Sequence, residues 1–209
     1  MNSIDKQTLL DTCQTGDILL YSSSNIISRA IEYFTKSKYS HVSMILKSPT
    51  YIDSSLTGLY IVESAKEDIP DSLTGKKIMG VQIIPLEDAL DYYKNSWVGS
   101  VYYRKLNCER NETFRSTLST LILNTEGTAY DLCIFDWLRA CFDIEIGDRQ
   151  ITKRFWCSAL VAYLYTELGF LEKTLEWSMI EPRQFSSFED KRLSYINCKL
   201  KPEIEIVNL

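Results

Sequence analysis

The feature that most constrains the fold is the order of hydrophobic patterns along the chain. Short β-prone runs dominate residues 17–106, whereas apolar residues at helical spacing dominate residues 111–168. No internal repeat and no linker rich in proline or glycine separates the two halves. A chain of 209 residues is long enough for one well-buried domain. The sequence therefore predicts a single α+β domain over residues 1–209, with helices on one side of a mainly antiparallel sheet.

The first half of the chain is predicted to contain five strands and two short helices. Residues 22–25 can cap a helix that continues to Phe34, and residues 86–95 have the length of a short helix. The strands are predicted from apolar runs that turn-forming residues interrupt. These runs are residues 17–21, 40–46, 59–63, 79–86 and 98–106.

Three helices are predicted in the second half. Residues 111–124 form an amphipathic pattern that Gly127 ends, and residues 130–142 are apolar and aromatic. The strongest pattern is residues 155–168, where apolar residues recur at helical spacing up to Gly169. The residues beyond this helix are expected to form a tail.

Composition and charge narrow the classes of partner and compartment. The net charge is -5 and the Lys/Arg clusters are short, which argues against a nucleic-acid partner. No apolar run approaches the length of about 18 to 20 residues that spans a bilayer, so no transmembrane segment is expected. The polar N-terminus lacks the apolar stretch of a signal peptide. The sequence therefore predicts a cytoplasmic protein.

The six cysteines are interpreted as free thiols, since disulfides are rare in a reducing compartment. Their spacing includes no C-x-x-C pair, and His41 is the only histidine in the chain. A structural metal site is therefore not expected.

Cys157 is the candidate nucleophile because it lies in the first turn of the predicted helix 155–168. Unpaired backbone N–H groups and the helix dipole at such a position stabilise a thiolate. The same N–H groups can bind the oxyanion of a tetrahedral intermediate. The alternative interpretation is a small buried hydrophobic residue, which is what most free cysteines are.

His41 and Glu63 are the candidate base and base-orienting carboxylate. His41 is the one imidazole available to a thiol, and it lies on a predicted strand. Glu63 ends the next predicted strand, so hairpin-like pairing would bring the two side chains together. A structural histidine and a surface glutamate are the alternatives. Other carboxylates that could orient the base are Asp17, Glu67 and Asp68.

Four short motifs lie in a distinctive order along residues 15–190. They are Thr15-Gly-Asp-Ile-Leu-Leu-Tyr21, Ser40-His-Val-Ser-Met44, Ile61-Val-Glu-Ser-Ala65 and Trp156-Cys-Ser-Ala-Leu-Val161. Together they resemble the circularly permuted NlpC-like branch of the papain-like cysteine hydrolases, and above all its YiiX-like and poxvirus members. Ordinary NlpC enzymes have the order Cys, His and a polar residue, whereas the permuted branch has His, acid and Cys. The order His41, Glu63, Cys157 matches the permuted branch.

The resemblance implies a papain-like fold and roles for two further residues. Gly127-Thr-Ala-Tyr-Asp131 is similar to a G-x-x-Y element of the family. By that match Tyr130 would donate to the oxyanion or the substrate, with core packing as the alternative. Asp17 is implied to fix a turn at the start of the first strand.

The resemblance also implies a peptidase or amidase that cleaves an amide, ester or thioester bond through an acyl-thioester on Cys157, with no cofactor. The expected substrate is an intracellular acylated peptide, protein or lipid, since bacterial relatives that cleave cell-wall peptides usually have an export signal. One alternative is a thiol acyltransferase acting on lipids, although its typical second histidine is missing from this chain. The other is a catalytically inactive binding module on the same fold.

Overall fold

The computed structural model describes residues 3–23, 38–66, 68–97, 99–130 and 154–209. Strands and helices alternate irregularly in this part of the chain. The strands are β1 (Ser3–Asp5), β2 (Ile18–Ser23), β3 (His41–Lys47), β4 (Leu59–Lys66), β5 (Met79–Pro85), β6 (Gly99–Arg104), β7 (Leu106–Asn107), β8 (Ala129–Tyr130), β9 (Arg154–Phe155), β10 (Lys199–Leu200) and β11 (Ile204–Val207).

Four α-helices and several shorter helical turns lie in the described residues. One of the helices continues into a π-helical turn at Tyr93–Trp97. Three 3-10 turns follow in the C-terminal segment, at Trp177–Met179, Pro182–Phe185 and Asp190–Arg192. The helices are α1 (Lys6–Thr12), α2 (Leu86–Tyr92), α3 (Glu112–Thr125) and α4 (Cys157–Glu167).

Nine strands form one sheet in the order β1-β11-β6-β2-β3-β4-β5-β8-β9, and β7 pairs with β10 in a separate ladder. The pairs β1–β11 and β8–β9 are parallel. The other pairs are antiparallel. The predicted α+β class with a mainly antiparallel sheet is therefore confirmed.

The two faces of the sheet pack into two separate hydrophobic clusters, because successive side chains of a strand point to opposite faces. Val42 and Met44 belong to the cluster that includes α3 and α4. Ile45 belongs to the cluster that includes α1 and α2. The prediction that helices lie on one side of the sheet is wrong, because helices pack on both faces. Residues 41–46 of β3 are accordingly all buried.

Most predicted elements are present within the described residues. The run 98–106 differs, because it is divided at Lys105 into β6 and β7. The predicted helices 22–34 and 130–142 lie outside the described residues, apart from their first positions. The prediction that the residues after the last helix form only a tail is wrong. They contribute β11, which pairs with both β1 and β6 in the main sheet.

Asp17 joins the start of β2 to two segments that are distant in sequence. Its buried carboxylate accepts hydrogen bonds from the backbone N–H groups of Gln14 and Leu106, each at 2.9 Å. The Tyr103 hydroxyl donates to it at 2.5 Å, and Arg110 forms an ion pair with it at 3.1 Å. The carboxylate thus closes the turn before β2 and ties it to the end of β6.

Replacement of this carboxylate is expected to destabilise the protein strongly. Asp17→Ala leaves two backbone N–H groups and the buried Tyr103 hydroxyl without their acceptor, and it removes the ion-pair partner of Arg110. We expect the free energy of unfolding to fall by about 3 to 5 kcal/mol. Urea unfolding followed by circular dichroism measures the change. The control is Asp53→Ala, an exposed carboxylate that bonds only within its own turn, to Ser55. Equal losses in the two variants would contradict the role of Asp17.

Candidate active site

The register of β3 and β4 brings His41 and Glu63 together. Met44 pairs with Val62, so Glu63 lies opposite Ser43, and His41 is two residues further along on the same face. Such diagonal neighbours are within reach of long side chains. His41 Nε2 lies 2.7 Å from Glu63 Oε2. Glu63 is fully buried in the middle of β4, rather than at the end of the strand where the sequence predicted it.

Cys157 lies in the first turn of α4, as the sequence predicted, and is its first residue, since the helix begins two positions later than Phe155. Its thiol interacts with the His41 side chain and favours the charged form of that ring. Because Nε2 of the imidazole is bonded to Glu63, Nδ1 is the ring nitrogen left for the sulfur. Cys157 and His41 are each 5% exposed, so the pair lies just below the protein surface.

The surroundings of His41 favour its charged form. Burial by itself lowers the pKa of an imidazole, since it penalises the positive charge. Cys157 and then Glu63 act in the opposite direction, and together they raise the pKa of His41 to about 10. The site therefore favours an imidazolium between a sulfur and a carboxylate.

The carbonyl of Ile180 fixes the residues on either side of Cys157. Trp156 Nε1 donates to this oxygen at 3.2 Å, and the Ser158 hydroxyl donates to it at 2.6 Å. Trp156 is the N-cap residue, and its side chain makes no capping hydrogen bond to α4. The backbone N–H groups of the first turn are thus not occupied by a capping side chain.

Two residues that sequence reasoning missed also bind Glu63. Gln82 Nε2 donates to Oε1 at 3.3 Å, and the Tyr93 hydroxyl donates to Oε2 at 3.2 Å. Gln82 lies directly opposite Glu63 in the β4–β5 ladder. Its signal in the sequence is a lone amide inside the apolar run 79–86, which needs a polar partner when buried. Tyr93 has no such signal, since it follows α2 and reaches the site through the fold alone.

Aromatic rings enclose the imidazole. The Tyr93 ring stacks on His41 with centroids 5.6 Å apart, and Tyr21 lies 5.1 Å from His41. The Tyr21 hydroxyl is hydrogen bonded to Ser43 at 2.8 Å, which fixes the second ring. Rings of this kind keep water from the His41–Glu63 bond and strengthen it, because the local dielectric constant is low.

The remaining predicted residues do not join this group. Asp17 is bonded to Tyr103 and Arg110, and Asp68 is an exposed partner of Lys77 at 3.5 Å. Glu67 lies outside the described residues. Tyr130 ends β8, which pairs with β9, but its side chain is outside the described part, so its oxyanion role stays a prediction.

The other thiols and carboxylates of the described residues form no candidate metal centre. Within the described ranges, no group of three or more His, Cys, Asp or Glu residues is arranged to hold a metal ion. No helix in the described part has the length and apolar character needed to cross a membrane. Cys133 and Cys141 are outside the described residues. The described cysteines, all of them free, are Cys13, Cys108, Cys157 and Cys198.

Removal of the Glu63 charge is expected to lower the pKa of His41. In Glu63→Gln the ring loses a negative neighbour that favours its protonated form, and we expect a fall of at least about one pH unit. NMR titration measures the shift directly, because the imidazole signals of the single histidine need no assignment. The matched control is Glu205→Gln, whose carboxylate binds Ser100 instead. Superimposable titrations of wild type and Glu63→Gln would contradict the assigned contact.

The Ser158 hydroxyl is expected to stabilise the start of α4. Ser158→Ala removes the buried bond to Ile180, so the free energy of unfolding should fall by about 1 to 2 kcal/mol in urea titrations. Ser116→Ala is the control, since the Ser116 hydroxyl bonds to Thr113 on the exposed side of α3. A change in Ser158→Ala no larger than in the control would show that Ile180 does not anchor the helix.

Comparison with solved structures finds several chains of similar fold, and YiiX is one of them. No family model and no curated protein matches the chain. Among solved structures, the metalloprotein YiiX from Escherichia coli is 21% identical in sequence and superimposes with a TM-score of 0.48. The match covers 75% of this chain and 66% of that chain, so this chain spans about two thirds of the length of the YiiX structure.

Proposed function

We propose that this protein is a cysteine hydrolase with papain-like chemistry, in which Cys157 is the nucleophile, His41 the base and Glu63 the orienting carboxylate. The observation that carries the proposal is the position of the single imidazole, which contacts Glu63 on one side and the Cys157 thiol on the other. A nucleophile, a base and a group that orients the base are the general requirements for covalent catalysis.

The permuted papain-like fold is part of this proposal. The elements that carry the three residues occur in the order β3, β4, α4, which agrees with the His, acid, Cys order of the permuted branch. The nucleophile begins a helix that packs against β3 and β4, so the thiol and the imidazole approach each other from two different elements. Triads of this kind depend on geometry and not on chain order.

In the first half of the proposed reaction, the Cys157 sulfur attacks the carbonyl carbon of the substrate. The thiol proton is held by His41, and Glu63 stabilises the resulting imidazolium. The tetrahedral intermediate collapses when His41 gives this proton to the leaving nitrogen, oxygen or sulfur. The acyl group then remains on Cys157 as a thioester.

In the second half, His41 removes a proton from water, and the hydroxide attacks the thioester. Collapse of this second intermediate expels the Cys157 sulfur and releases a carboxylic acid. The sulfur and His41 again share one proton, so the cycle is closed without a cofactor.

Backbone N–H groups at the start of α4 are the proposed oxyanion donors. They lie next to the sulfur because Cys157 is the first residue of the helix. The Ile180 carbonyl holds Trp156 and Ser158 and thereby fixes the direction of these N–H groups. Donors that are fixed before the reaction stabilise the transition state without reorganisation.

The proposed substrate is an acylated peptide, protein or lipid, because the same acyl-enzyme can form from an amide, an ester or a thioester. A thiol acyltransferase would share the first half-reaction and differ only in the acceptor. The second histidine that is typical of the lipid acyltransferases is missing from this chain, and His41 is bonded to the Glu63 carboxylate instead. This observation favours hydrolysis.

Alkylation rates test the proposed nucleophile. We expect iodoacetamide at pH 7 to modify Cys157 at least about ten times faster than Cys13 or Cys198, since burial raises the pKa of both of these thiols to about 11 and thiolate is the reactive form. His41→Gln should reduce the rate at Cys157 to that of the other thiols. Mass spectrometry of peptides measures each site separately.

Two controls complete this experiment. Cys13→Ala should leave alkylation of Cys157 unchanged, whereas Cys157→Ala should remove the fast phase. An equal rate at Cys157 in wild type and His41→Gln would contradict the proposed base. Fast alkylation without release of product from acyl-peptide, thioester and acyl-lipid substrates would instead indicate a binding module, and product joined to an acceptor would indicate an acyltransferase.

A further inference from the structure

Cys108 and Cys198 lie opposite each other beside the ladder of β7 and β10. The antiparallel register pairs Asn107 with Lys199, so the next position outward pairs the two cysteines. Residues that lie opposite each other on paired strands point to the same face. The two side chains therefore extend in the same direction from neighbouring segments.

Hydrogen bonding in this ladder defines the spacing of the two cysteines. Lys201 N donates to Lys105 O at 2.8 Å, so these residues form a hydrogen-bonded pair. Hydrogen-bonded and non-hydrogen-bonded pairs alternate along an antiparallel ladder. Cys108 and Cys198 lie three positions from the Lys105–Lys201 pair, so they form a non-hydrogen-bonded pair. The Cα atoms of such pairs are about 4.5 Å apart, with the side chains close together. A disulfide needs Cα atoms about 4.4 to 6.8 Å apart, so the backbone already has the required separation.

The surroundings of the thiols agree with this pairing. Both side chains are partly buried against the hydrophobic cluster that includes α3 and α4, and both are free. Burial raises the pKa of Cys198 to about 11, and the neighbouring Cys108 adds to this effect. Cys198 Sγ also donates to the Phe170 carbonyl at 3.5 Å. The two thiols are thus electrostatic neighbours, and both residues are only partly buried.

We propose that Cys108 and Cys198 form a thiol–disulfide exchange site, which closes to a reversible cross-strand disulfide with low-molecular-weight disulfides. One thiolate attacks the small disulfide, forms a mixed disulfide and expels one small thiol. The second thiolate attacks the protein sulfur of that mixed disulfide and expels the other small thiol. The two cysteines are oxidised, the small disulfide is reduced to two thiols, and two protons pass from the cysteines to the products.

The fold can accept this cross-link without loss of other contacts. Oxidation removes the Cys198 bond to Phe170, but the Phe170 carbonyl also accepts from Ile196 N at 2.8 Å and keeps a partner. The chain between the two cysteines includes α3 and α4. A bond that closes so long a segment restricts the unfolded chain and stabilises the fold.

Oxidised glutathione is the probe for this site. The full chain is used as Cys157→Ala, so that the proposed nucleophile does not compete and the result does not depend on the proposed function. We expect non-reducing peptide mapping to find the Cys108 and Cys198 peptides joined, with the loss of two hydrogens. The midpoint of thermal unfolding should rise by about 5 to 15 °C and return to its starting value with dithiothreitol.

Matched variants separate the disulfide from adventitious thiol oxidation. In the same background, Cys108→Ser should stop at a glutathione adduct on Cys198, with no rise in the unfolding midpoint, whereas Cys13→Ser should form the cross-link normally. Separate adducts on Cys108 and Cys198, a bond from either cysteine to a third one, or no reaction at either site would each overturn the proposal.

Discussion

The bond between His41 and Glu63 is the interaction on which the site depends. A fully buried carboxylate is costly unless it is paired and hydrogen bonded. Glu63 meets this requirement with donors from three elements: the imidazole at 2.7 Å, the Gln82 amide and the Tyr93 hydroxyl. Cys157 and this paired carboxylate together favour a positive charge on a ring whose pKa burial alone would lower. The charged imidazole of His41 then has two partners, the Glu63 carboxylate and the Cys157 thiol.

The sheet supplies this geometry because its central strands are buried on both faces. One cluster holds the helix that begins at Cys157, and the other holds α2, from which Tyr93 follows. His41 begins β3 and can therefore contact the thiol while its ring lies in the row of polar side chains that β3, β4 and β5 present. A purely apolar sheet would be simpler to stabilise, but it would have no place for a charged imidazole.

Sequence reasoning identified the α+β class and the elements that bear the three candidate residues. It succeeded where the signal is local, as for the helix start at Cys157, or where strands adjacent in sequence pair, as for His41 and Glu63. It failed for the second helical layer, because a strand buried on both faces looks like any continuous apolar run. It also failed for β11, whose partners β1 and β6 are distant in sequence. The contact of Tyr93 with Glu63 was missed for the same reason, since the two residues are distant in sequence.

The described cysteines differ more in their neighbours than in their burial. Cys13 is fully buried and Cys157 is 5% exposed, so burial hardly distinguishes them. Cys13 has the Asp17 carboxylate nearby, which opposes a second negative charge and, after burial, raises the pKa of that thiol further. Cys157 instead has an imidazole that can take its proton, and Cys198 has a second sulfur. These differences in neighbours are the basis for the two proposed roles, Cys157 as a nucleophile and Cys198 as part of a site of reversible oxidation.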